Sequence, residues 1–379
     1  MSEADPARVL QAARDFAQTH VRPAATAWAR GEGSPRALLE LAAQAGLLGI
    51  EVPQSAGGLG LRFSCKAQIA EVLAAADFGF AMAWVNTHNV AHHLARVASP
   101  RLVGQWVPSL LAGTRVGCTA LTEPAVGSDF AAITTTARAV DGGWELQGTK
   151  SWIVNATHAD VMVVYAQTQA GSGAAGIAAF LVDASRAGFE RVGAEASDAA
   201  RAIQSGGFRL AGYRCRDDEQ LHPAGEAFKA AMGSINAART YVAAMCCGIV
   251  ADALATASAY GLERQTFGMP LHDHQGWRWS LAGAAVDLEA ARALVQAACA
   301  LIDAGGDAQD LSAKAKVFAT RMAARHVPAL LHAMGAEGLR EERAFMRHLG
   351  AAQVAALVDG STEMLLERIA RGLRKASSR

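Results

Sequence analysis

The spacing of apolar residues divides the chain into a helical start, a middle part with strand patterns and a helical end. In the first 115 residues, apolar side chains recur every three or four positions, as in VLQAARDFAQTHV and RALLELAAQAGLLGI, and this period predicts helices. Proline and glycine in PQSAGGLGL interrupt the pattern once. We therefore expect an N-terminal helical domain over residues 1–115.

A different pattern begins near residue 116. Short segments rich in β-branched and aromatic residues, such as DVMVVYAQT and GIAAFLVD, alternate with glycine, aspartate and asparagine, which is typical of strands and turns. Residues 116–223 are therefore predicted to form a small β domain. Long apolar-periodic stretches with short connections follow over residues 224–379 and predict a four-helix bundle. The predicted fold class is α+β, and mostly α.

Composition and charge exclude several classes of function. The 379 residues include 35 basic and 35 acidic side chains, so nothing in the charge predicts a nucleic-acid partner. No apolar run approaches the roughly 20 residues that span a bilayer, and the charged N-terminus lacks the apolar core of a signal peptide. The six cysteines are scattered without a C-x-x-C pair, which predicts reduced thiols. We expect a cytoplasmic protein with no membrane segment.

Two patterns that look like known sites lack the context that those sites need. GSGAAG at 171–176 fits G-x-G-x-x-G, but the segment after it predicts a strand where a dinucleotide-binding motif has a helix. A hairpin connection is the better interpretation. The histidines at 88–93 and 272–274 have no acid or cysteine at ligand spacing, so no metal site is expected.

The segment AALVDGSTEM at 355–364 raises a question about Asp359. An acid that follows an apolar run and precedes a glycine has the placement of a catalytic base. It has equally the placement of a helix cap, because aspartate and serine are typical of helix starts and a helical spacing of apolar residues follows. The local chemistry leaves both interpretations open.

Three further segments are weak signals alone but specific in this order and at these spacings. LTEPAVGSD at 121–129 offers hydroxyl groups and backbone amides beside a glycine, which suits a polar ligand lying across a loop. GTKSWIVNA at 148–156 ends a predicted strand with a lysine, an aromatic residue and an asparagine. ERQTFGMPLHDHQ at 263–275 follows a long helix, and its Arg264 could meet a phosphate while Phe267 could stack or pack.

These segments, together with LLGIEVPQSAGGLGL and LVDGSTEM, resemble the acyl-CoA dehydrogenase family over essentially the whole chain. The resemblance implies N-terminal helices, a middle β-barrel domain and a C-terminal four-helix bundle, in agreement with the patterns above. It also implies FAD as the cofactor, held without a Rossmann fingerprint. The family's FAD site is shared between subunits, which implies a homo-oligomer, either a dimer or a dimer of dimers.

The resemblance also implies which residues would contact FAD. Trp152 would cover one face of the isoalloxazine ring, and Arg264 would approach the diphosphate from a neighbouring subunit. Residues implied on the flavin side are Thr119, Leu121, Thr122, Gly127, Ser128, Trp152 and Val154. Residues implied to reach the FAD of the neighbour are Arg264, Thr266, Phe267, Leu271, His274, Gln275, His332 and Ala336. Ser361 and Glu363, just after the base, are implied to contact FAD as well.

The implied reaction is the dehydrogenation of an acyl thioester. Asp359 would remove the α-proton while the β-hydrogen leaves as hydride to flavin N5, and an electron-transfer flavoprotein would accept the electrons. The FAD ribityl hydroxyl and the backbone N–H of the base would stabilise the charge on the carbonyl oxygen. Residues implied to contact the substrate are His88, Ser128, Asn236, Arg239, Asp359 and Gly360.

The chain departs from the family at the base, where aspartate replaces the usual glutamate. Aspartate reaches roughly 1–1.5 Å less far, and a misplacement of about 1 Å can cost about a hundredfold in rate. Ala238, where some relatives carry the base, is not acidic, and Leu366 replaces the arginine that nitroalkane oxidases pair with their aspartate. Val358 and Val154 also replace the residues common in the family.

These departures leave several functions open. The substrate could be acyl-CoA or an acyl group on a carrier protein, and polar Asn86 and His88 favour a short, branched, cyclic or functionalised acyl group. Alternatives on the same fold are 1,4-dehydrogenation of a cyclic enoyl-CoA, and loss of sulfite or CO₂. An alternative of another class is a flavin-binding scaffold without turnover.

Overall fold

The computed structural model describes residues 4–194 and 201–376. Its N-terminal part is helical, as the apolar spacing predicts. The helices are α1 (Pro6–Phe16), α2 (Arg22–Ala29), α3 (Arg36–Gln44), α4 (Phe63–Ala76), α5 (Phe78–Val97) and α6 (Pro100–Leu111), with a π-helical turn at Ala17–Val21. Asp77 separates α4 from α5 and caps the latter, because its carboxylate accepts a hydrogen bond from the Phe80 N–H at 2.8 Å.

An eight-stranded sheet follows, in the order β6-β7-β3-β2-β4-β5-β8 with β1 parallel to β4. The strands are β1 (Gly117–Ala120), β2 (Thr136–Val140), β3 (Gly143–Ile153), β4 (Val161–Gln167), β5 (Ile177–Asp183), β6 (Phe189–Ala194), β7 (Gly206–Arg216) and β8 (Gln220–His222). Strand β4 is buried throughout. Val163 packs with α5 and α6, whereas Val164 joins the core on the opposite face, as strand geometry requires. The GSGAAG segment connects antiparallel β4 and β5, so the hairpin interpretation is confirmed.

The C-terminal part is a helical bundle built on one long helix. Its elements are α7 (Ala227–Glu263), β9 (Gln265–Thr266), β10 (Met269–Pro270), α8 (Gln275–Asp303), α9 (Gln309–Ala333), α10 (Phe345–Leu357) and α11 (Thr362–Ala376). Helix α7 packs against α4 of the N-terminal part as well as α8 and α9. The predicted fold class is confirmed.

The prediction that no segment approaches a membrane span in length and apolarity is wrong for α7. Its 37 residues include a window apolar and long enough to cross a bilayer. Of that window, 61% is buried inside the protein. A core helix that packs on several neighbours needs apolar residues on most of its faces, which explains this composition.

Candidate active site

Asp359 lies in a tight turn between α10 and α11, and both central residues of the turn are left-handed. Asp359 has φ +53° and Gly360 has φ +99°, a conformation that costs energy for a residue with a side chain. Two buried cations hold this turn. Arg239 Nε donates to the carbonyl oxygen of Asp359 at 2.9 Å, and Lys316 Nζ donates to that of Gly360 at 2.7 Å.

The residues after Asp359 show which side chain caps α11. The start of α11 is capped by Ser361, whose Oγ accepts from the Met364 N–H at 3.5 Å and whose carbonyl oxygen accepts from the Leu365 N–H at 3.1 Å. Asp359 lies two residues outside this cap and lines a cavity instead. Among the residues that the structure describes, none forms a hydrogen bond with its carboxylate.

The surroundings of Asp359 move its pKa in opposing directions. Burial raises the pKa above its ordinary value, while the charges of Lys316 and Arg239 partly offset that rise. Burial also lowers the pKa of Lys316 to about 8 and that of Arg239 to about 10. Both cations remain charged at neutral pH. A carboxylate with a raised pKa is a stronger base than a free aspartate, as proton abstraction requires.

The cavity lined by Asp359 has a volume of about 640 Å³ and lies between α4, α5, α7 and the sheet. Five of the residues expected on the flavin side line it: Thr119, Leu121, Thr122, Trp152 and Val154. Trp152 is 57% exposed and has φ +58°, so a strained backbone conformation accompanies a large apolar ring that is exposed to solvent. A flat, exposed indole beside hydroxyl groups fits the isoalloxazine ring and polar edge of FAD.

A buried ion pair joins the two sequence motifs that form this wall. Lys150 Nζ contacts a Glu123 carboxylate oxygen at 2.8 Å and donates to the Leu121 carbonyl oxygen at 3.0 Å. Glu123 also accepts hydrogen bonds from the Thr134 and Thr135 N–H groups. Burial alone would raise the pKa of Glu123, but Lys150 and these hydrogen bonds hold it at about 2. Sequence reasoning missed this pair, although both residues belong to the quoted motifs.

Several residues implied for the site do not line the cavity. Gly127 and Ser128 are exposed on the loop beyond Glu123. Asn236 accepts from Arg239 Nη1 at 2.8 Å and so supports the arginine that holds the turn at Asp359. Arg239 itself binds the protein's own backbone.

His88, expected to border the acyl group, needs a correction. It is buried behind the cavity wall, where its Nε2 accepts from the Glu51 N–H at 3.1 Å. The polar side chains that line this part of the cavity are Glu51, Lys66, Asn86, Asn89, His92 and Tyr241. Among them, sequence reasoning had named Asn86 alone as a pocket residue.

The residues expected to reach a neighbour's FAD lie outside this cavity. None of Arg264, Thr266, Phe267, Leu271, His274, Gln275, His332 and Ala336 lines the cavity. The first turn of α8, which follows the β9–β10 hairpin, is joined to the end of α9, because Trp277 Nε1 donates to the Ala333 carbonyl oxygen at 2.9 Å. At the hairpin tip, Phe267 is 94% exposed with φ +52°. Glu363 is exposed on the first turn of α11.

The fold and this cavity define a class of flavin-dependent oxidoreductases, and comparison with known proteins names the family. The acyl-CoA dehydrogenase N-terminal domain matches residues 4–114, the middle domain residues 118–212 and the C-terminal domain residues 225–374. The chain belongs to the acyl-CoA dehydrogenase family, whose members are FAD-dependent enzymes.

Individual relatives cover nearly the whole chain. Human short-chain specific acyl-CoA dehydrogenase, a mitochondrial protein, is 32% identical over 94% of this chain and 87% of its own length. The structure of butyryl-CoA dehydrogenase from Megasphaera elsdenii has a TM-score of 0.93 at 27% identity and covers 98% of this chain and 99% of its own. Glutaryl-CoA dehydrogenase from Mycobacterium smegmatis, in complex with FADH2, has a TM-score of 0.89 at 28% identity, covering 97% and 94%.

Proposed function

We propose that this protein is an FAD-dependent dehydrogenase of a short acyl thioester and that Asp359 is its catalytic base. One observation carries the proposal: the clamped, left-handed turn presents Asp359 to the same cavity that Trp152 and Thr122 line. A base and a flavin platform that share one cavity have the arrangement that removal of two adjacent hydrogens requires. Relatives named for short-chain acyl-CoA and butyryl-CoA support this substrate class.

Each part of the site has a chemical task in this proposal. Asp359 takes the α-proton of the thioester, and bound FAD supplies the acceptor for the β-hydride. Burial of Asp359 raises its pKa and so its proton affinity, while the positive charges of Lys316 and Arg239 partly offset that rise. Arg239 and Lys316 fix the turn through its two carbonyl oxygens, which leaves the Asp359 side chain free to face the substrate.

We further propose that the protein works as a homo-oligomer and passes electrons to an electron-transfer flavoprotein. The surface formed by the β9–β10 hairpin and α8 carries exposed apolar side chains, among them Phe267, Met269, Trp279 and Val286. Large apolar residues exposed together mark interaction surfaces. Arg264 and Gln275, on either side of the hairpin, and His332, near the end of α9, would then reach the FAD of a second copy.

Anaerobic mixing of the holoprotein with acyl-CoAs tests the proposed reaction. Butyryl, isobutyryl, glutaryl, cyclohexanecarboxyl and cyclohex-1-enecarboxyl-CoA are compared by loss of flavin absorbance. We expect bleaching by at least one saturated acyl-CoA in the wild type and none in Asp359→Ala with its FAD retained. Bleaching by the cyclic enoyl-CoA alone would instead support 1,4-dehydrogenation. No bleaching by any of them would contradict the proposal and favour a carrier-bound substrate, a redox-neutral elimination or a scaffold.

A further inference from the structure

The cavity has an open mouth and a closed end, and their chemistry differs. At the mouth, Arg96, Val97, Gly233 and Ser234 are exposed. At the other end, Lys66 and Tyr241 line the cavity but are only 3% and 4% exposed. We call Glu51, Lys66, Asn89 and Tyr241 the closed end. An acyl group that enters from the mouth and passes Asp359 would finish there.

The closed end is a hydrogen-bonded network centred on a buried ion pair. Lys66 Nζ forms a salt bridge with Glu51 and donates to Asn89 Oδ1 at 3.1 Å. Asn89 Nδ2 then donates to the Tyr241 hydroxyl at 3.3 Å. The Lys66 ammonium also lies 4.8 Å from the ring centroid of Phe63 and 5.5 Å from that of Tyr241. The network therefore joins α4, α5 and α7.

Tyr241 links this network to the catalytic turn. Burial raises the pKa of Tyr241 well above its ordinary value, and the negative charges of Asp359 and Glu51 raise it further. The hydroxyl therefore stays protonated and lies within the field of both acids. It accepts from Asn89, and within the described part of the chain its own O–H donates to no residue. The Tyr241 O–H is thus available to donate a hydrogen bond to a group in the cavity.

The charges of the closed end cancel, and this decides what it can bind. Burial would raise the pKa of Glu51, but the charge of Lys66 holds it below its ordinary value, so the pair is ionic. A substrate carboxylate would lie beside Glu51 and be repelled, and a substrate ammonium would lie beside Lys66. A methyl group would leave the Tyr241 O–H without an acceptor, which is costly in a buried site. A hydroxyl both donates and accepts, and adds no charge.

We infer that the closed end is a specificity site for an uncharged hydroxyl group on the acyl chain, and that the natural substrate is a short hydroxyacyl thioester with the hydroxyl beyond Cβ. This inference rests on the proposed function, since it names the substrate class of the same cavity. It assigns Lys66, Glu51 and Tyr241 to substrate recognition. The cavity volume of about 640 Å³ leaves room for the hydroxyl-bearing end of a short chain beside the flavin side of the site.

A matched series of five-carbon acyl-CoAs tests the inference by binding alone. Pentanoyl, 4-hydroxypentanoyl, 5-hydroxypentanoyl, glutaryl and 5-aminopentanoyl-CoA are titrated calorimetrically into Asp359→Ala holoprotein, which cannot turn them over. We expect one hydroxyacyl-CoA to bind about ten- to a hundredfold more tightly than pentanoyl-CoA, the gain typical of one hydrogen bond to a charged group. Tightest binding of glutaryl- or 5-aminopentanoyl-CoA, or equal binding of all five, would overturn the inference.

A double substitution assigns the effect to the ion pair. Lys66→Met with Glu51→Gln removes both charges together and so avoids an unpaired buried ion. We expect the preference for the hydroxyl to fall at least tenfold in this variant. Lys314→Met with Asp310→Asn, at an exposed pair on α9, is the matched control and should keep the preference. If both double variants keep it, the closed end is not the recognition site.

The proposed dehydrogenase function and the proposed hydroxyl site are tested by different measurements, so either can be refuted without the other. Flavin bleaching of the wild type reports on the dehydrogenase function, whereas the ranking of binding constants reports on the closed end. Glu51→Gln adds a directional check, because it leaves Lys66 unpaired. Glutaryl-CoA should then gain affinity relative to pentanoyl-CoA, and no gain would contradict the placement of the substrate's end beside Lys66.

Discussion

Removing the charge of Lys316 should move the acidic limb of the pH–rate profile to higher pH. The test variant is Lys316→Gln, which keeps a donor for the Gly360 carbonyl oxygen but has no charge. Asp359 acts as a base only when ionised, so the reaction rate falls as the pH drops through the pKa of Asp359. In the wild type, burial raises that pKa and the Lys316 charge partly offsets the rise. Without the charge, the pKa of Asp359 must lie higher.

The size of this shift follows from the geometry of the turn. Lys316 Nζ lies 2.7 Å from the carbonyl oxygen of Gly360, the residue after Asp359. An opposite charge at about 4–6 Å lowers the pKa of a carboxyl group by about 1–3 units. Because Arg239 remains as a second cation, we expect an upward shift of about 1–2 units. At a pH below the Asp359 pKa of both proteins, the rate of the variant should be about ten- to a hundredfold lower than that of the wild type.

The difference should vanish at alkaline pH. Burial lowers the pKa of Lys316 itself to about 8, so the wild type loses the same charge above that pH and its rate approaches that of Lys316→Gln. The assay is kcat/KM by stopped-flow flavin reduction between about pH 5 and pH 9, since its profile reports the free enzyme. FAD content and thermal midpoint are measured on the same samples.

Lys316→Met serves as the control for the hydrogen bond. It removes charge and donor together and leaves a buried carbonyl oxygen unpaired, at a cost of about 1–3 kcal/mol in stability. If Lys316→Gln has the wild-type acidic limb, or is slower by a constant factor at every pH, the electrostatic role of Lys316 is refuted. A constant factor would mean that Lys316 acts only on the position of the turn.

Three further predictions concern the same site. Asp359→Glu lengthens the side chain of the proposed base by roughly 1–1.5 Å and should lower turnover of the best substrate about a hundredfold with FAD still bound. Stopped-flow flavin reduction measures this turnover. Higher turnover in the variant would show that the length of aspartate is not matched to that substrate. Glu123→Gln leaves Lys150 buried without a counter-ion and should cost about 3–5 kcal/mol in urea unfolding, whereas Glu190→Gln, at an exposed pair with Arg209, should cost about 0–1 kcal/mol. Trp152→Ala should weaken FAD binding about three- to tenfold in a fluorescence titration, because it removes a stacking surface; an equal loss in Trp279→Ala, on α8, would argue against a specific role.

The sequence alone determined the architecture and singled out Asp359 as the proposed base. Apolar periods of three to four and of two residues separate helices from strands wherever one face is buried. The segments around Thr122, Trp152 and Asp359 are local in sequence and could therefore be read as motifs. The neighbours of each residue along the chain determine whether it lies in a turn, at a strand end or in a loop. The chemistry of each segment could therefore be compared with that of a flavin site from the sequence.

Only the tertiary structure decided what surrounds Asp359. Lys316 is 44 residues from Gly360, and Arg239 is 120 residues from Asp359, so no local pattern relates them. Helix α5 is buried on most sides, and its sequence therefore does not show that His88 faces away from the cavity while Asn89 faces it. The closed end likewise depends on Lys66 of α4 meeting Glu51 and α7. Such contacts arise from the packing of whole elements, where chain separation carries no information about distance in space.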